Sequence, residues 1–244
     1  MITCIGRDVI RYDSVPSTNE LAKELARRDA PEGVVVVSEV QSKGRGRKDR
    51  HWSSQRGGLY FSMILYPDIV PDMAMLVTMS TSMAVSQSLK ELGIDATIKW
   101  PNDLLIRGKK VAGILTELSA QEGKVSYMVV GVGINVSNIL PKDLKDIATS
   151  LKDEMGIEID KELLFDTVLE NMDLFYSYLI EGQHEFIRES WLRMSNIVGK
   201  RVTVRENETQ KTGTVKGIDH KGRLILLSQG REYTMVTGDV DITS

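Results

Sequence analysis

A short basic segment, residues 43–50, is the first part of the chain whose residue types could carry out chemistry. Its eight residues include five Lys or Arg side chains, one Asp and two glycines. Glycine lets backbone amides approach an anion closely, and arginine can hold two phosphate or carboxylate oxygens at once. The segment therefore indicates a loop that binds an anionic ligand, although a solvated surface loop can have the same composition. Trp52 follows it and could close over a bound ring or belong to the core.

A second polar cluster lies at residues 99–103 and 109–113. The first part reads Lys-Trp-Pro-Asn-Asp at the end of a predicted strand, and Lys110 lies near the start of the next one. A sheet can hold polar groups rigidly at such junctions. A Lys beside an Asp and an Asn can neutralise charge that develops on a phosphorus centre and can hold an incoming nucleophile. The alternative for Lys110 is an exposed turn lysine.

Residues 131–135, Gly-Val-Gly-Ile-Asn, are a third candidate. Glycine inside a strand indicates either close packing of neighbouring strands or backbone that approaches a ligand. The sequence leaves both interpretations open.

Several common sites are excluded by residue spacing. The third glycine position of a dinucleotide-binding G-x-G-x-x-G motif is occupied by Asp49, and no Gly-Lys pair is followed by the Ser or Thr of a phosphate-binding P-loop. The three histidines lie in no metal-ligand spacing, and no G-x-S-x-G motif exists. We therefore predict no metal site built from protein ligands, and hydrolase and metalloenzyme hypotheses find little support.

Length and composition limit the kind of protein that positions these residues. A chain of 244 residues with 41% hydrophobic residues is globular and allows one large domain or one large and one small domain. Because 31 Lys and Arg oppose 34 Asp and Glu, the whole chain is not built to coat nucleic acid or an anionic membrane. The single cysteine, Cys4, cannot form an internal disulfide. We expect a cytoplasmic protein with no nucleic-acid partner and no membrane partner.

Hydrophobic periodicity predicts the elements that hold the three segments. Strands are predicted over residues 34–37, 59–66, 94–99, 111–118 and 124–135. Helices are predicted from Ser17 for about three turns and over residues 72–92, 161–180 and 186–194. Ser17 and Glu20 have the spacing of a capping box at the first helix. Because several strands follow one another with few helices between them, the predicted fold class is α+β, with a mixed sheet backed by helices.

The last part of the chain, residues 197–244, has a different texture. Four short strands are predicted there, over residues 202–204, 212–218, 224–227 and 233–236. Strands this short in about 45 residues predict a small β-barrel. We therefore predict two domains, 1–196 and 197–244.

Taken in order, the segments resemble the biotin protein ligase family. The resemblance is carried by Ser17, Thr18, Asn19, Gln41, Gly44, Arg45, Gly46, Arg47, Trp52, Lys99, Trp100, Pro101, Asn102, Asp103, Lys110, Val111, Ala112, Gly113, Ile114, Leu115, Gly131, Val132, Gly133, Ile134 and Asn135. It spans nearly the whole chain. Any one segment is weak, but Gly-Arg-Gly-Arg followed by Lys-Trp-Pro-Asn-Asp at this spacing is specific.

The resemblance implies a class II synthetase-like catalytic domain, a small SH3-like barrel after it, and a two-step reaction. The biotin carboxylate attacks the α-phosphorus of ATP to give biotinyl-5'-adenylate and pyrophosphate. A lysine amine of a biotin carboxyl carrier protein then takes the acyl group. Biotin and ATP are the expected ligands, and Mg²⁺ is expected with the ATP phosphates, without a dedicated protein cage.

The resemblance also implies roles for individual residues. Lys110 would bridge the biotin carboxylate and the α-phosphate, and Asp103 would orient the acceptor lysine. Arg47, together with Arg45 and the amides of the glycine loop, would hold the adenylate and exclude water from it. The ureido ring of biotin would be bound by Ser17, Thr18, Asn19 and Gln41. The other substrate-binding residues would be Gly44, Gly46, Trp52, Lys99, Trp100, Asn102, Gly113, Gly131, Gly133 and Asn135.

Two features qualify the resemblance. The family often has another glycine shortly after Gly-Arg-Gly-Arg, where this chain has Lys48 and Asp49. Only about ten residues precede the first expected element, which is too short for the helix-turn-helix domain of some members, so we expect a monofunctional ligase without repressor activity. Whether the chain forms a homodimer is left open.

Two alternatives remain. A lipoate protein ligase or octanoyltransferase would share the architecture but attach another acyl group. A nucleic-acid-binding module could use the basic loop and the small barrel, although it would need a basic face larger than one loop.

Overall fold

The computed structural model describes residues 5–206 and 209–242, and its main feature is a mixed sheet of seven strands. The strands are β1 (Val9–Val15), β2 (Val35–Gln41), β3 (Leu59–Leu65), β4 (Thr97–Lys99), β5 (Asp103–Ile106), β6 (Lys109–Gln121) and β7 (Lys124–Ile134). They lie in the order β1-β2-β3-β7-β6-β5-β4. β1 and β2 are parallel, and every other neighbouring pair is antiparallel. The predicted mixed sheet is confirmed.

Helices cover both faces of this sheet. They are α1 (Thr18–Ala26), α2 (Ala74–Glu91), α3 (Leu151–Met155), α4 (Lys161–Ile180) and α5 (His184–Ser195). The larger core contains residues of α2, α4 and α5, and a smaller core contains Ala22 and Ala26 of α1. Strand β2 contributes Val35 to the larger core and Val36 to the smaller one, and neither is exposed. This alternation confirms the prediction of a strand buried on both faces.

The start of α1 differs from its prediction in one respect. Ser17 is the N-terminal cap residue, as expected, but its side chain makes no capping hydrogen bond. Glu20 instead forms an ion pair with Lys23, with 2.7 Å between Oε1 and Nζ. The predicted capping box is therefore wrong, because charged neighbours compete for the Glu20 carboxylate.

A second, antiparallel sheet follows α5. Its strands are β8 (Arg201–Glu206), β9 (Thr209–Ile218), β10 (Leu224–Ser228), β11 (Arg231–Met235) and β12 (Asp239–Ile242). Their order is β11-β10-β9-β8-β12. The four predicted strands are present and β12 is an addition, because a four-residue segment with two Asp residues gives no strand signal. The described pairings form a linear order, so closure into a barrel stays a prediction.

The two sheets are joined by specific side chains. The buried Trp100 donates a hydrogen bond from Nε1 to the carbonyl oxygen of Gly222 at 3.1 Å. Lys221 Nζ lies 2.6 Å from Asp72 Oδ2. The second sheet is thereby placed beside the β4–β5 end of the first, next to the polar segment that the sequence analysis singled out.

None of the helices in the described ranges is both long and apolar enough to cross a membrane. The longest, α4, has 20 residues and carries five charged side chains: Lys161, Glu162, Asp166, Glu170 and Asp173. Cys4 lies outside the described residues, so the expectation of a thiol without an internal disulfide partner rests on the sequence alone.

Candidate active site

A cavity of about 650 Å³ lies on the α1 side of the large sheet and extends to the second sheet. The strand register builds its floor. Gly133 on β7 lies opposite Gly113 on β6, and Gly113 lies opposite Asp103 on β5. Gly131 is two residues from Gly133 and therefore faces the same side. Two of the segments that the sequence analysis selected thus meet side by side on one surface.

A β-bulge directs Lys110 toward this floor. The register between β5 and β6 shifts between Lys110 and Ala112, so that Val111 is an extra residue without a partner on β5. Because successive side chains of a regular strand point to opposite faces, Lys110 would otherwise lie on the face opposite Gly113. The extra residue reverses this alternation and places the Lys110 ammonium 3.2 Å from the point where a Cβ on Gly113 would lie.

The Lys110 ammonium is held between a carboxylate and an aromatic ring. Nζ lies 2.6 Å from Asp103 Oδ1 and 5.1 Å from the centre of the Trp52 ring. The Lys110 and Asp103 side chains are only 31% and 24% exposed, so their attraction is partly protected from solvent screening. This arrangement fixes a positive charge on the cavity wall, where it can contact the oxygens of a carboxylate or phosphate.

Two glycines of β7 allow side chains to lie directly on the strand. A Cβ at Gly133 would be 2.5 Å from Trp52 Nε1, and a Cβ at Gly131 would overlap the Asn19 amide. Both glycines line the cavity. The close contacts at these glycines are with side chains from α1 and the loop and not with a neighbouring strand, and the approach of a ligand to this backbone stays a prediction. The indole N–H of Trp52 is buried without a hydrogen-bond partner among the described residues, so packing holds the ring in place.

One end of the cavity is lined by neutral hydrogen-bonding groups. Thr18 donates from its backbone N and from Oγ1 to Gln41 Oε1, at 2.8 and 3.1 Å. Gln41 Nε2 donates to Ser54 Oγ at 2.8 Å, and Asn19 Nδ2 donates to Glu117 Oε2 at 2.9 Å. The buried Ser17 lines the same wall. A fixed network of this kind can orient an uncharged polar ligand.

Arg45 lies on the rim of the cavity and is paired with two carboxylates. Its guanidinium forms ion pairs with Glu20 and with Glu117 Oε1, the latter at 3.2 Å. Lys23 joins the same cluster, with its Nζ 3.0 Å from Glu117 Oε1. The charge of Glu117 raises the pKa of the Arg45 guanidinium, and the hydrogen bond from Lys23 lowers the pKa of the Glu20 carboxyl. In this structure Arg45 therefore faces α1 and β6 rather than Lys110.

The glycine loop, residues 44–52, is a compact hairpin. Trp52 N donates to the carbonyl oxygen of Gly44 at 2.9 Å, and Gly46 N donates to that of Arg50 at 2.7 Å. Gly44 does not line the cavity. A Cβ there would overlap the Trp52 carbonyl and lie 2.6 Å from Ser54 Oγ, so this glycine permits the loop to close on itself.

The tip of the hairpin has a left-handed backbone. Lys48 and Asp49 have φ angles of 54° and 56°, a region that glycine occupies at little cost and other residues rarely occupy. This is the stretch where the resemblance leads one to expect a glycine. The chain therefore keeps a glycine-like backbone at these positions with side chains of another type.

Arg47 bridges the two sheets across the cavity. Its Nη1 donates to Asn102 Oδ1 at 2.9 Å and to the carbonyl oxygen of Gly238 at 3.4 Å, and its Nη2 donates to Thr237 Oγ1. Burial lowers the pKa of the Arg47 guanidinium, and the nearby carboxylate of Asp239 opposes that shift. Arg47 is thus the loop cation that lies deepest between the sheets.

Apart from Gly44, every residue predicted for the site lies on the wall of this one cavity. These residues are Ser17, Thr18, Asn19, Gln41, Arg45, Gly46, Arg47, Trp52, Lys99, Trp100, Asn102, Asp103, Lys110, Gly113, Gly131, Gly133 and Asn135. Asn135 is also bonded within the fold, since its Nδ2 donates to the carbonyl oxygen of Thr149 at 3.1 Å.

The far wall of the cavity was not predicted from the sequence. Leu140, Leu144, Ile147 and Ala148 line it, next to Lys110, whose backbone N donates to the carbonyl oxygen of Ile147 at 2.9 Å. Ile147 lies in a turn and is 65% exposed. Apolar residues in a segment with neither helix nor strand periodicity are the signal that could have identified this wall.

The second sheet supplies a further part of the wall that the sequence analysis did not select. Arg205, Asp239, Val240 and Asp241 line the cavity from β8 and β12. Asp241 Oδ1 lies 4.0 Å from Lys99 Nζ, and its other oxygen lies 2.6 Å from Arg205 Nη1. These contacts are between segments distant in sequence, which local patterns do not reveal.

Two family profiles match the chain. The profile of the Biotin/lipoate A/B protein ligase family matches residues 12–135, and that of the Biotin protein ligase C terminal domain matches residues 197–242. The first match contains the hairpin, Lys110 and the floor of the cavity. The second contains the strands that line its other side.

Individual proteins are similar over almost the whole chain. The bifunctional ligase/repressor BirA of Bacillus subtilis is 37% identical over 98% of this chain and 75% of its own length. The biotin--[acetyl-CoA-carboxylase] ligase of Mycobacterium tuberculosis is 30% identical over 96% of this chain and 87% of its own length. Among solved structures, the biotin protein ligase from Aquifex aeolicus in complex with biotin and ATP has a TM-score of 0.82 at 29% identity, covering 97% of this chain and 99% of that one.

Proposed function

The chain belongs to the biotin/lipoate A/B protein ligase family, and we propose that it activates biotin with ATP and transfers it to a lysine of a biotin carboxyl carrier protein. One observation carries this proposal. A single cavity has a neutral hydrogen-bonding end and an apolar end, with the Lys110 ammonium between them and an arginine-bearing hairpin over it. This is the arrangement that an uncharged ring, a reacting carboxylate and a nucleotide require.

The neutral end is suited to the ureido ring of biotin. This ring is uncharged and presents two N–H donors and one carbonyl acceptor. The Thr18, Asn19 and Gln41 side chains offer both kinds of partner in fixed positions. Biotin bound there would direct its carboxylate along the glycine floor toward Lys110.

The first chemical step joins two anions, and Lys110 lies where they would meet. A carboxylate oxygen of biotin attacks the α-phosphorus of ATP, an O–P bond forms, and pyrophosphate leaves. The Lys110 ammonium, already placed by Asp103, would contact both the carboxylate and the α-phosphate and stabilise the negative charge that develops. Because the group is fixed before the reaction, little reorganisation is needed.

The apolar far wall is suited to the nucleobase. Leu140, Leu144 and Ile147 offer a surface against which a flat ring can pack, and they adjoin the backbone of Lys110. The adenine would therefore lie on one side of Lys110 and biotin on the other.

The second step needs an amine nucleophile, and Asp103 is the carboxylate nearest to Lys110. The acceptor amine attacks the acyl carbon, a C–N bond forms, and AMP leaves with the electron pair of the broken C–O bond. Asp103 would orient the incoming lysine and accept a proton from it. Arg47 and the hairpin would keep water from the mixed anhydride until the carrier arrives.

No step of this proposal is routed through a metal held by the protein. Within residues 5–206 and 209–242, no group of three or more His, Cys, Asp or Glu side chains is placed to hold a metal ion. We propose that Mg²⁺ enters with the ATP phosphates. We also propose that the reaction takes place in the cytoplasm, where ATP is abundant.

The proposal is tested by pyrophosphate release from ATP with biotin, lipoate or octanoate, each with and without a biotin carboxyl carrier domain. We expect pyrophosphate release with biotin but not with lipoate or octanoate. Labelled biotin should be incorporated into the carrier domain, but not into a carrier whose acceptor lysine is replaced by arginine. Pyrophosphate release that depends on lipoate or octanoate would show that one of these acids, and not biotin, is the substrate. No acyl-dependent release would reject the proposed activity.

A further inference from the structure

A carboxylate of the second sheet contacts the tip of the arginine-bearing hairpin. Asp239 Oδ2 accepts a hydrogen bond from Arg50 Nη2 within an ion pair, and Lys48 Nζ lies 3.7 Å from the same oxygen. The two residues before Asp239 accept hydrogen bonds from Arg47. Three cations of the hairpin therefore contact three consecutive residues, two in the turn before β12 and the first residue of β12.

The Asp239 carboxylate is on a fixed element. It is the first residue of β12 and pairs with Arg205 on β8, so its backbone is held in the sheet ladder. Burial raises the pKa of Asp239, but the hydrogen bond from Arg50 and the charges of Lys48 and Arg47 outweigh burial and lower it. The carboxylate is therefore ionised at neutral pH. On the other side of the cavity the hairpin is held by Arg45, which pairs with Glu20 of α1 and Glu117 of β6.

We propose that Asp239 is a positioning residue that holds the hairpin closed over the acyl adenylate. This inference rests on the proposed function and adds to it a specific contact between the second sheet and the loop. Asp239 does not contact the reacting atoms in this account. It acts through Arg50 and Lys48, which hold the hairpin tip so that Arg47 stays between the sheets.

The size of the effect follows from the exposure of the partners. The side chains of Arg50, Lys48 and Asp239 are 59%, 33% and 39% exposed, so solvent screens each pair and each contributes modestly. Two such pairs correspond to about a three- to tenfold shift in the opening of the hairpin. We therefore expect faster release of the adenylate and not inactivation of the enzyme.

The test measures retention of the intermediate by the full-length protein. Labelled biotinyl adenylate is formed from biotin and ATP in a single turnover, and its release is then followed after dilution into unlabelled biotin. The variants are Asp239→Asn, Asp239→Glu, Arg50→Gln and the double variant with Asp239→Asn and Arg50→Gln. Asp72→Asn is the matched control, because it removes an ion pair between the two sheets, with Lys221, that lies outside the cavity.

We expect Asp239→Asn, which removes both pairs, to release the adenylate about three- to tenfold faster than the wild type, and Arg50→Gln, which leaves the contact with Lys48, to speed release by a smaller factor. The double variant should release it no faster than Asp239→Asn alone. Asp239→Glu should restore most of the retention, and Asp72→Asn should match the wild type. Salt should speed release from the wild type more than from Asp239→Asn, because the variant lacks the charged contact of Asp239 with Arg50 and Lys48.

Wild-type retention in Asp239→Asn, or fully additive effects of the two single variants, would overturn the role of Asp239 while leaving the ligase activity in place. Equal leakage from Asp72→Asn would also overturn it, because general loosening of the two sheets would then be the cause. Failure of the wild type to form biotinyl adenylate is a separate result, which rejects the proposed function and this inference with it.

Discussion

Lys110 shows how a single residue depends on a local irregularity of the backbone. Its identity and its place beside the Lys-Trp-Pro-Asn-Asp segment are visible in the sequence, and both led to its selection. The direction of its side chain is not visible, because the bulge at Val111 arises from pairing with β5, which lies between two of the predicted strands and was not itself predicted. Residue type could therefore be predicted here, whereas geometry required the register of three strands.

Replacement of this lysine should separate chemistry from binding. In Lys110→Ala we expect single-turnover formation of biotinyl adenylate to fall at least about a hundredfold, since a fixed charge at the developing anion is lost. Biotin affinity should change by less than about threefold, because the ring is held at the other end of the cavity. Rapid-quench kinetics and isothermal titration calorimetry measure the two quantities.

Lys109→Ala is the matched control for that experiment. Lys109 is the neighbouring residue, but its Nζ donates to the carbonyl oxygen of Lys145 at 2.7 Å and does not line the cavity. We expect it to form the adenylate at the wild-type rate. Unchanged adenylation in Lys110→Ala, or an equal loss in both variants, would contradict the proposed role of Lys110.

Among the elements, those with strong periodicity could be predicted and those defined by pairing could not. The predicted helix 161–180 has the observed bounds of α4, because its apolar residues recur at helical spacing. The exposed edge strand β1 was missed, as were β5 and β12, which are four residues long and each begin with Asp. Such strands form because a neighbouring strand offers hydrogen bonds, which no local pattern records.

The hairpin is the element whose conformation can be tested directly. Asp49 has a left-handed φ of 56°, a conformation that suits Gly and Asn but strains a β-branched residue by about 1–2 kcal/mol. We expect Asp49→Gly and Asp49→Asn to retain biotinyl adenylate at least as well as the wild type. Asp49→Val should release it up to about tenfold faster.

Release rates of the labelled adenylate measure this series, and circular dichroism melting checks that each variant remains folded. The Asp49 side chain is exposed, so the comparison is dominated by the backbone. Faster release from Asp49→Gly than from Asp49→Val would show that the left-handed backbone at this position does not support closure.

At the scale of the whole molecule, the site is a space between two sheets and not a property of either one. The large sheet supplies the floor, and the second sheet supplies a wall through β8 and β12. Arg47 connects them by hydrogen bonds to Asn102 on one side and to Thr237 and Gly238 on the other. The motifs that resemble the family identified most residues of the floor and Arg47. The contribution of the second sheet required the folded structure, because these residues are separated by more than a hundred positions.

The variant Arg47→Gly tests whether this enclosed space retains a reactive mixed anhydride. Loss of its charged hydrogen bonds to both sheets should speed release of biotinyl adenylate by about tenfold to a hundredfold while its formation continues. Arg56→Gly is the control, since Arg56 lies near the same loop but pairs with Asp13 on the surface, with 2.6 Å between Nη2 and Oδ1. The measurement is biotin incorporation into a bystander protein, such as serum albumin, in the presence of biotin and ATP. We expect strong labelling of the bystander by Arg47→Gly and little by the wild type or Arg56→Gly. Tight retention of the adenylate without bystander labelling in Arg47→Gly would show that Arg47 does not help to retain it.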